Sequence, residues 1–180
     1  MVVDSRRDYR CPWFDVVVKD VRYPDQPVAR SFYAVEINDW AAVLAVDGEG
    51  KIPLVRQFRP VIERVELELP AGAARTAPPD VVARRELLEE TGYEADELVE
   101  LGSLFTESGR LTSRAWVYFA PDARRVREPT PPDEEPLEVV LVTQAGLWHA
   151  IENGAFASSG HVAAVALAVM RGLIAPPHPS

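Results

Sequence analysis

The stretch from Asp80 to Thr91 (DVVARRELLEET) lies between Pro78-Pro79 and Gly92. That punctuation marks out a short helix, because proline suits a first turn and glycine the position just past the last one. Within it Glu86 and Glu90 stand four residues apart and Glu89 stands three from Glu86, so three carboxylates crowd one side of one or two turns. Like charges at this spacing destabilise a helix by roughly 0.2–0.5 kcal/mol per pair. Two readings are open: a solvated acidic face on which Arg84 and Arg85 pair with their neighbours, or a site where a bound cation neutralises the cluster. The segment before the helix favours the second. A strand-like run followed by Leu69-Pro70-Ala71-Gly72 and a loop places a backbone carbonyl near Ala71 and the carboxylates around one point. A glycine there also lets a ligand approach the main chain. Oxygen donors without sulfur or a nearby histidine suit Mg²⁺ or Mn²⁺ better than Zn²⁺.

The rest of the chain reads as strands and helices in an α+β order. Trp13 to Lys19, Ser31 to Ile37 and Ala41 to Val46 are rich in β-branched and aromatic residues and are separated by turn signals. Asp47 to Gly50 followed by Ile52 to Phe58 looks like a hairpin. Beyond the acidic helix come strand candidates at Leu98 to Phe105 and Arg114 to Ala120. A Pro- and acid-rich loop, Glu128 to Pro136, leads to a strand at Leu137 to Thr143 and helices near Gln144 to Asn153 and Gly160 to Leu173. Strands, helix, strands, helices is an α+β succession rather than regular βαβ alternation. A chain of 180 residues buries roughly two thirds of its unfolded surface without metal or disulfide staples.

Charge and cysteine content exclude several classes. Against 28 acidic residues stand 19 lysines and arginines, a net charge of −9. Such a body repels phosphate backbones and anionic membranes, so the Arg124-Arg125-Arg127 cluster reads as solvated surface and no nucleic-acid partner is expected. The single cysteine, Cys11, rules out an internal disulfide framework and reads as a small packed thiol. MVVDSRRDYR has no apolar stretch of signal-peptide length, and Val162 to Met170 is too short to span a bilayer. The expectation is a soluble, cytoplasmic protein with no membrane partner.

The run Arg85-Glu86-Leu87-Leu88-Glu89-Glu90-Thr91-Gly92-Tyr93, with Gly72 upstream, resembles the Nudix box. The lead-in, VRQFRP at Val55 to Pro60 and LELPAG at Leu67 to Gly72, is similar to the ADP-ribose and nucleoside-diphosphate-sugar pyrophosphatase branch of that family. The resemblance implies a Nudix α/β/α sandwich with a mixed sheet. It also implies an N-terminal β-strand lobe over residues 1–48, serving dimerisation or substrate, and a catalytic domain over 49–180. The implied reaction is Mg²⁺-dependent (Mn²⁺ also serving) hydrolysis of the diphosphate linkage of a nucleotide sugar to a nucleoside monophosphate and a sugar phosphate, by a homodimer. Glu86, Glu89, Glu90 and the Ala71 carbonyl are the implied metal ligands, and Arg85 orients a glutamate by an ion pair. The general base is expected at Glu134 or Glu135, beside Asp133 in the acidic loop. For substrate, Arg56 and Arg59 offer guanidinium forks to phosphate. Glu68 and Glu66, on one side of a strand, face nucleotide or water, and Arg110 joins the substrate set. Trp13 and Phe14 either stack on a base or pack in a core; His161 either neighbours a helix cap or touches substrate.

Two departures from the family pattern stand out. The Gly72–Arg85 spacing is one residue short, with Ala77 or Pro78 where an early glutamate is usual. After the box the chain reads Thr106-Glu107-Ser108-Gly109-Arg110-Leu111, with no proline, more like relatives acting on other nucleoside-diphosphate sugars. Two alternatives stand beside this reading: a house-cleaning nucleoside triphosphatase, and a non-hydrolytic, regulatory nucleotide-binding domain.

Overall fold

The computed structural model describes residues 1–130 and 136–177. Its centre is a parallel pair of strands, β4 (Asp39–Asp47) and β10 (Arg114–Arg125), in register from Trp40↔Ala115 to Ala45↔Ala120. Both are near-continuous apolar runs, as befits strands covered on both faces. Their side chains alternate between two cores. Ala42, Leu44, Val117 and Phe119 pack under α2 (Gln144–Glu152) and α3 (Ser159–Met170). Ala41, Val43, Ala45, Tyr118 and Ala120 pack under α1 (Pro79–Glu86). The result is the expected mixed sheet between helices.

Around the pair, β7 (Ala71–Ala74) lines the free side of β4, while β8 (Tyr93–Glu94) and β9 (Val99–Phe105) run antiparallel to β10. A second sheet has the order β11 (Leu137–Val142), β5 (Ile52–Arg59), β6 (Arg64–Glu68), and a third is formed by β1 (Val2–Arg10), β2 (Asp15–Val21) and β3 (Arg30–Glu36). Among the described residues no helix is long and apolar enough to cross a membrane.

Several sequence expectations need correction. β1 is unanticipated, since VVDSRRDYR lacks an apolar face; all nine residues are exposed, and cross-strand ion pairs such as Arg7–Asp15 help tie it to β2. Trp13 precedes β2 instead of lying in it. The Asp47–Gly50 turn closes, with the Asp47 amide donating to the Lys51 carbonyl at 2.8 Å, but β4 and β5 then join different sheets, so no hairpin ladder follows. The three-stranded N-terminal sheet ends at Glu36, and β4, from Asp39, belongs to the central sheet. The acidic helix is α-helical only to Glu86. Leu87–Thr91 form one π turn, stopped by Gly92 at φ 76°, and such turns gather at functional sites. A Cβ at Gly92 would lie 2.1 Å from the Arg127 carbonyl oxygen, so glycine alone fits.

Candidate active site at the Ala71 turn

β6 ends at Glu68, and Leu69-Pro70 lead into β7 at Ala71. This short link delivers the start of β7 to the end of the acidic helix. The Ala71 amide donates to Glu90 Oε2 at 2.9 Å. Gly72 lies so close to the helix that a Cβ there would sit 2.0 Å from Glu86 Oε1, and its lack of a side chain is what permits the approach. Arg85 Nη2 reaches Glu86 Oε1 at 2.6 Å, and its Nε stands 3.6 Å from Glu89 Oε2. The Glu86 hydrogen bond raises the Arg85 pKa.

Burial pushes the Glu90 carboxyl up to about 8; the charges of Glu86 and Glu68 add to the rise, while the Ala71 amide and Arg59 oppose it. Among the described residues no three His, Cys, Asp or Glu side chains converge as they stand to grip a metal ion, since Glu86 is turned to Arg85 and Glu90 to the Ala71 amide. The donor chemistry nonetheless suits a hard divalent cation, since the cluster offers oxygen donors only. Glu86, Glu89 and Glu90 are the side chains that could hold it. At Ala71 the contact present is made by its amide, which donates to Glu90.

A cavity of about 750 Å³ opens beside the turn, with Ala71 and Gly72 in its wall. Glu66, Glu68 and His161 line it and are buried; Trp13 and Arg75 line it and are exposed, the guanidinium carbon 5.9 Å from the indole centroid. Arg59 faces this cavity and forks onto Glu68, with Nε 2.9 Å from Oε1 and Nη2 on Oε2. Arg64 pairs with Glu66. His161 accepts the Leu69 amide at Nδ1, 3.2 Å away, and burial lowers its pKa to about 4.

Other expected substrate residues lie elsewhere. Arg56 is three residues from Arg59, so strand alternation turns it to the opposite face of β5; there it is exposed and pairs with Glu138 at 2.6 Å. Arg110 is exposed and absent from the cavity wall, its backbone carbonyl accepting the Val35 amide at 2.7 Å. Glu134, Glu135 and Asp133 lie outside the described residues; the Thr130 amide, just before them, donates to the Glu89 carbonyl at 2.7 Å. The wall also holds Trp40 and Arg75, which no sequence signal singled out. For Arg59 the signal was available, because an odd spacing from Arg56 means only one of the two can share the face of Glu68.

A model of the NUDIX domain matches residues 38–159. The chain is 37% identical over 141 residues to an ADP-ribose pyrophosphatase of Bacillus subtilis (strain 168), covering 77% of this chain and 76% of that protein. It is 27% identical over 143 residues to a GDP-mannose pyrophosphatase of Cronobacter sakazakii, covering 74% and 75%. The fold superposes on a solved structure titled an ADP compounds hydrolase with a TM-score of 0.81 at 23% identity, over 96% of this chain and 93% of the other. The domain match spans the central sheet, the acidic helix and the Ala71 turn, and with it the chain belongs to the Nudix family of hydrolases.

Proposed function

We propose that this protein hydrolyses the diphosphate linkage of ADP-ribose or a related nucleoside-diphosphate sugar, with Mg²⁺, to a nucleoside monophosphate and a sugar phosphate. The observation that carries this is the position of Glu90: half-buried, facing the charges of Glu86 and Glu68, and held by the amide of Ala71, a residue in the wall of a cavity large enough for a nucleotide. Relatives named for ADP-ribose and for GDP-mannose support the substrate class.

A divalent cation held by Glu86, Glu89, Glu90 and the Ala71 carbonyl would neutralise phosphate charge and lower the pKa of a bound water. The chain's own residues do the rest. Arg85 holds Glu86 and Glu89 in place from outside the cluster. Arg59, steered by Glu68, brings its guanidinium to the cavity wall, where a planar fork suits phosphate oxygens better than an ammonium. Trp13 and Arg75 at the cavity rim offer planar faces to a base. Glu134 or Glu135, which follow Thr130 in the chain, takes the water's proton. The exposed edge strand β1 supports a homodimer built through the N-terminal lobe, and the single cysteine supports a reducing, cytoplasmic setting.

Turnover of ADP-ribose, GDP-mannose, other nucleotide sugars and nucleoside triphosphates, followed by ³¹P NMR with Mg²⁺ and then with EDTA, tests the reading. Two phosphomonoesters from a nucleotide sugar, abolished by EDTA and restored by Mg²⁺, are expected. Turnover of triphosphates alone, or none at all, overturns it.

A further inference from the structure

The link between α2 and α3 runs alongside β6 and stands in for the missing neighbour strand on its free edge. The Arg64 guanidinium donates to the Gly154 carbonyl, the Leu67 amide to the Ala155 carbonyl at 2.8 Å, and the Ala157 amide to Glu66 Oε2 at 3.4 Å. The last contact in this series is the Leu69 amide on His161 Nδ1 at 3.2 Å. At that point a side-chain nitrogen replaces a backbone carbonyl as acceptor. Leu69 is fully buried, and a buried amide without a partner costs about 1–3 kcal/mol. Two residues further on, the Ala71 amide holds Glu90.

Two aromatic rings pack against His161. Its ring centroid lies 5.2 Å from that of Trp40 and 6.1 Å from that of Phe156. The start of α3 reaches this depth because Gly160 has no side chain: a Cβ would stand 2.7 Å from the Trp40 ring. A nitrogen that accepts an amide proton carries none of its own, so Nδ1 is bare and the ring's hydrogen sits on Nε2. Burial keeps the ring neutral at pH 7.

Resting on the pyrophosphatase reading, we infer that His161 is a positioning residue: its bare Nδ1 holds the Leu69 amide and thereby sets the Leu69–Gly72 turn against Glu90. The chemistry depends on this histidine through the main chain, although it belongs to no box motif and lies 92 residues from Leu69.

Two kinds of measurement test this. In wild-type protein labelled with ¹⁵N-histidine, without metal or substrate, His161 should show the neutral Nε2–H form from pH 6 to 8. Through-bond coupling should also appear between its Nδ1 and the Leu69 amide. The Nδ1–H form overturns the inference whether or not any variant folds. The variants are His161→Leu, which lacks the acceptor, and His161→Asn, whose Oδ1 can take the place of Nδ1. His161→Leu should exchange the Leu69 and Ala71 amide protons at least ten times faster than wild type while the Leu147 amide, bonded to the Thr143 carbonyl in α2, is unchanged. Its kcat should fall about 10- to 100-fold, the range typical of residues that orient metal ligands, with KM within about threefold. His161→Asn should recover exchange protection and kcat to within about threefold. A folded His161→Leu with wild-type exchange at Leu69 and Ala71 and full kcat overturns it. Absence of any nucleotide-sugar turnover in wild type defeats the functional reading instead and leaves the exchange and tautomer results to decide this one.

Discussion

The amide of Ala71 and the carboxylate of Glu90, nineteen residues apart in sequence, meet at 2.9 Å. This bond ties the end of the acidic helix to the first residue of β7; it favours the charged carboxylate, but desolvation outweighs it and pushes the Glu90 pKa up to about 8. Glu90→Gln keeps an oxygen for the Ala71 amide and removes only the capacity for negative charge. The expected outcome is a folded protein with Tm within about 4 °C of wild type and kcat lower by about 10³-fold, because a cation loses a ligand and packing loses nothing. Calorimetry and steady-state kinetics on one preparation check both halves. Near-normal turnover removes Glu90 from the metal set.

Gly72 separates backbone from Glu86 by less than a side chain's width. The Cβ of Gly72→Ala would meet Glu86 Oε1 at 2.0 Å and Cγ at 2.9 Å. The far end of a glutamate can swing away, so the fold should survive with a stability loss of about 1 kcal/mol. The displaced carboxylate no longer faces the turn, and the Mg²⁺ concentration for half-maximal rate should rise at least tenfold. A metal titration of the variant's activity reads this directly.

Arg59 and Arg56 separate a cavity role from a surface one. Arg59 forks onto the buried Glu68 inside the cavity wall, whereas Arg56 pairs with the exposed Glu138 across β5 and β11. Arg59→Ala should lower kcat/KM by about 10²-fold and cost about 2 kcal/mol by leaving the Glu68 carboxylate without its fork. Arg59→Lys should rescue little, because a point charge cannot make two parallel bonds. Arg56→Ala should change kcat/KM less than threefold, since exposed pairs contribute little. Equal effects of the two alanines would refute the division.

These two arginines also mark the limit of what the sequence makes legible. Local spacing is enough to bring Arg85 onto Glu86 and Glu89, and the flanking prolines and Gly92 bound their helical segment correctly. The π turn is less visible, because nothing in LLEET distinguishes five residues per hydrogen-bonded turn from four. The apolar runs of β4 and β10 announce buried strands, but their parallel pairing joins residues 75 apart, as in Trp40↔Ala115, and is a property of topology. β1 hides because its exposed residues alternate charge with little apolar content. His161 and Leu69 meet only through the α2–α3 link, a contact for which sequence holds no periodicity at all.

Trp13 lies at the rim of the cavity, two-thirds exposed, with Arg75 beside its ring. An indole left in solvent costs little to keep there if it is covered when a base stacks on it, and stacking on an aromatic contributes about 1–3 kcal/mol. Trp13→Ala should raise KM for the preferred nucleotide sugar about tenfold with kcat within twofold, and Trp13→Phe should recover most of the loss. The corresponding sugar phosphate, lacking a base, should inhibit both proteins equally. A kcat effect without a KM effect places Trp13 outside the binding step.

His161 gives stability a dependence on pH whose direction follows from burial. Its folded pKa, about 4, lies below the ordinary value of 6.5. As pH falls through 6.5 the unfolded chain takes up a proton that the folded chain refuses, so the unfolded state gains and stability is lost until pH reaches about 4. Above 6.5 the ring is neutral in both states and contributes no slope. The full shift corresponds to about 3 kcal/mol. Urea unfolding of wild type and His161→Asn at pH 7, 5.5 and 4.5 isolates this, because the carboxylates titrating in the same window are common to both. Wild type should lose about 2 kcal/mol more than the variant between pH 7 and 4.5. Parallel stability curves would mean that the His161 ring is protonated in the folded state, and its Nδ1 could then no longer accept the Leu69 amide.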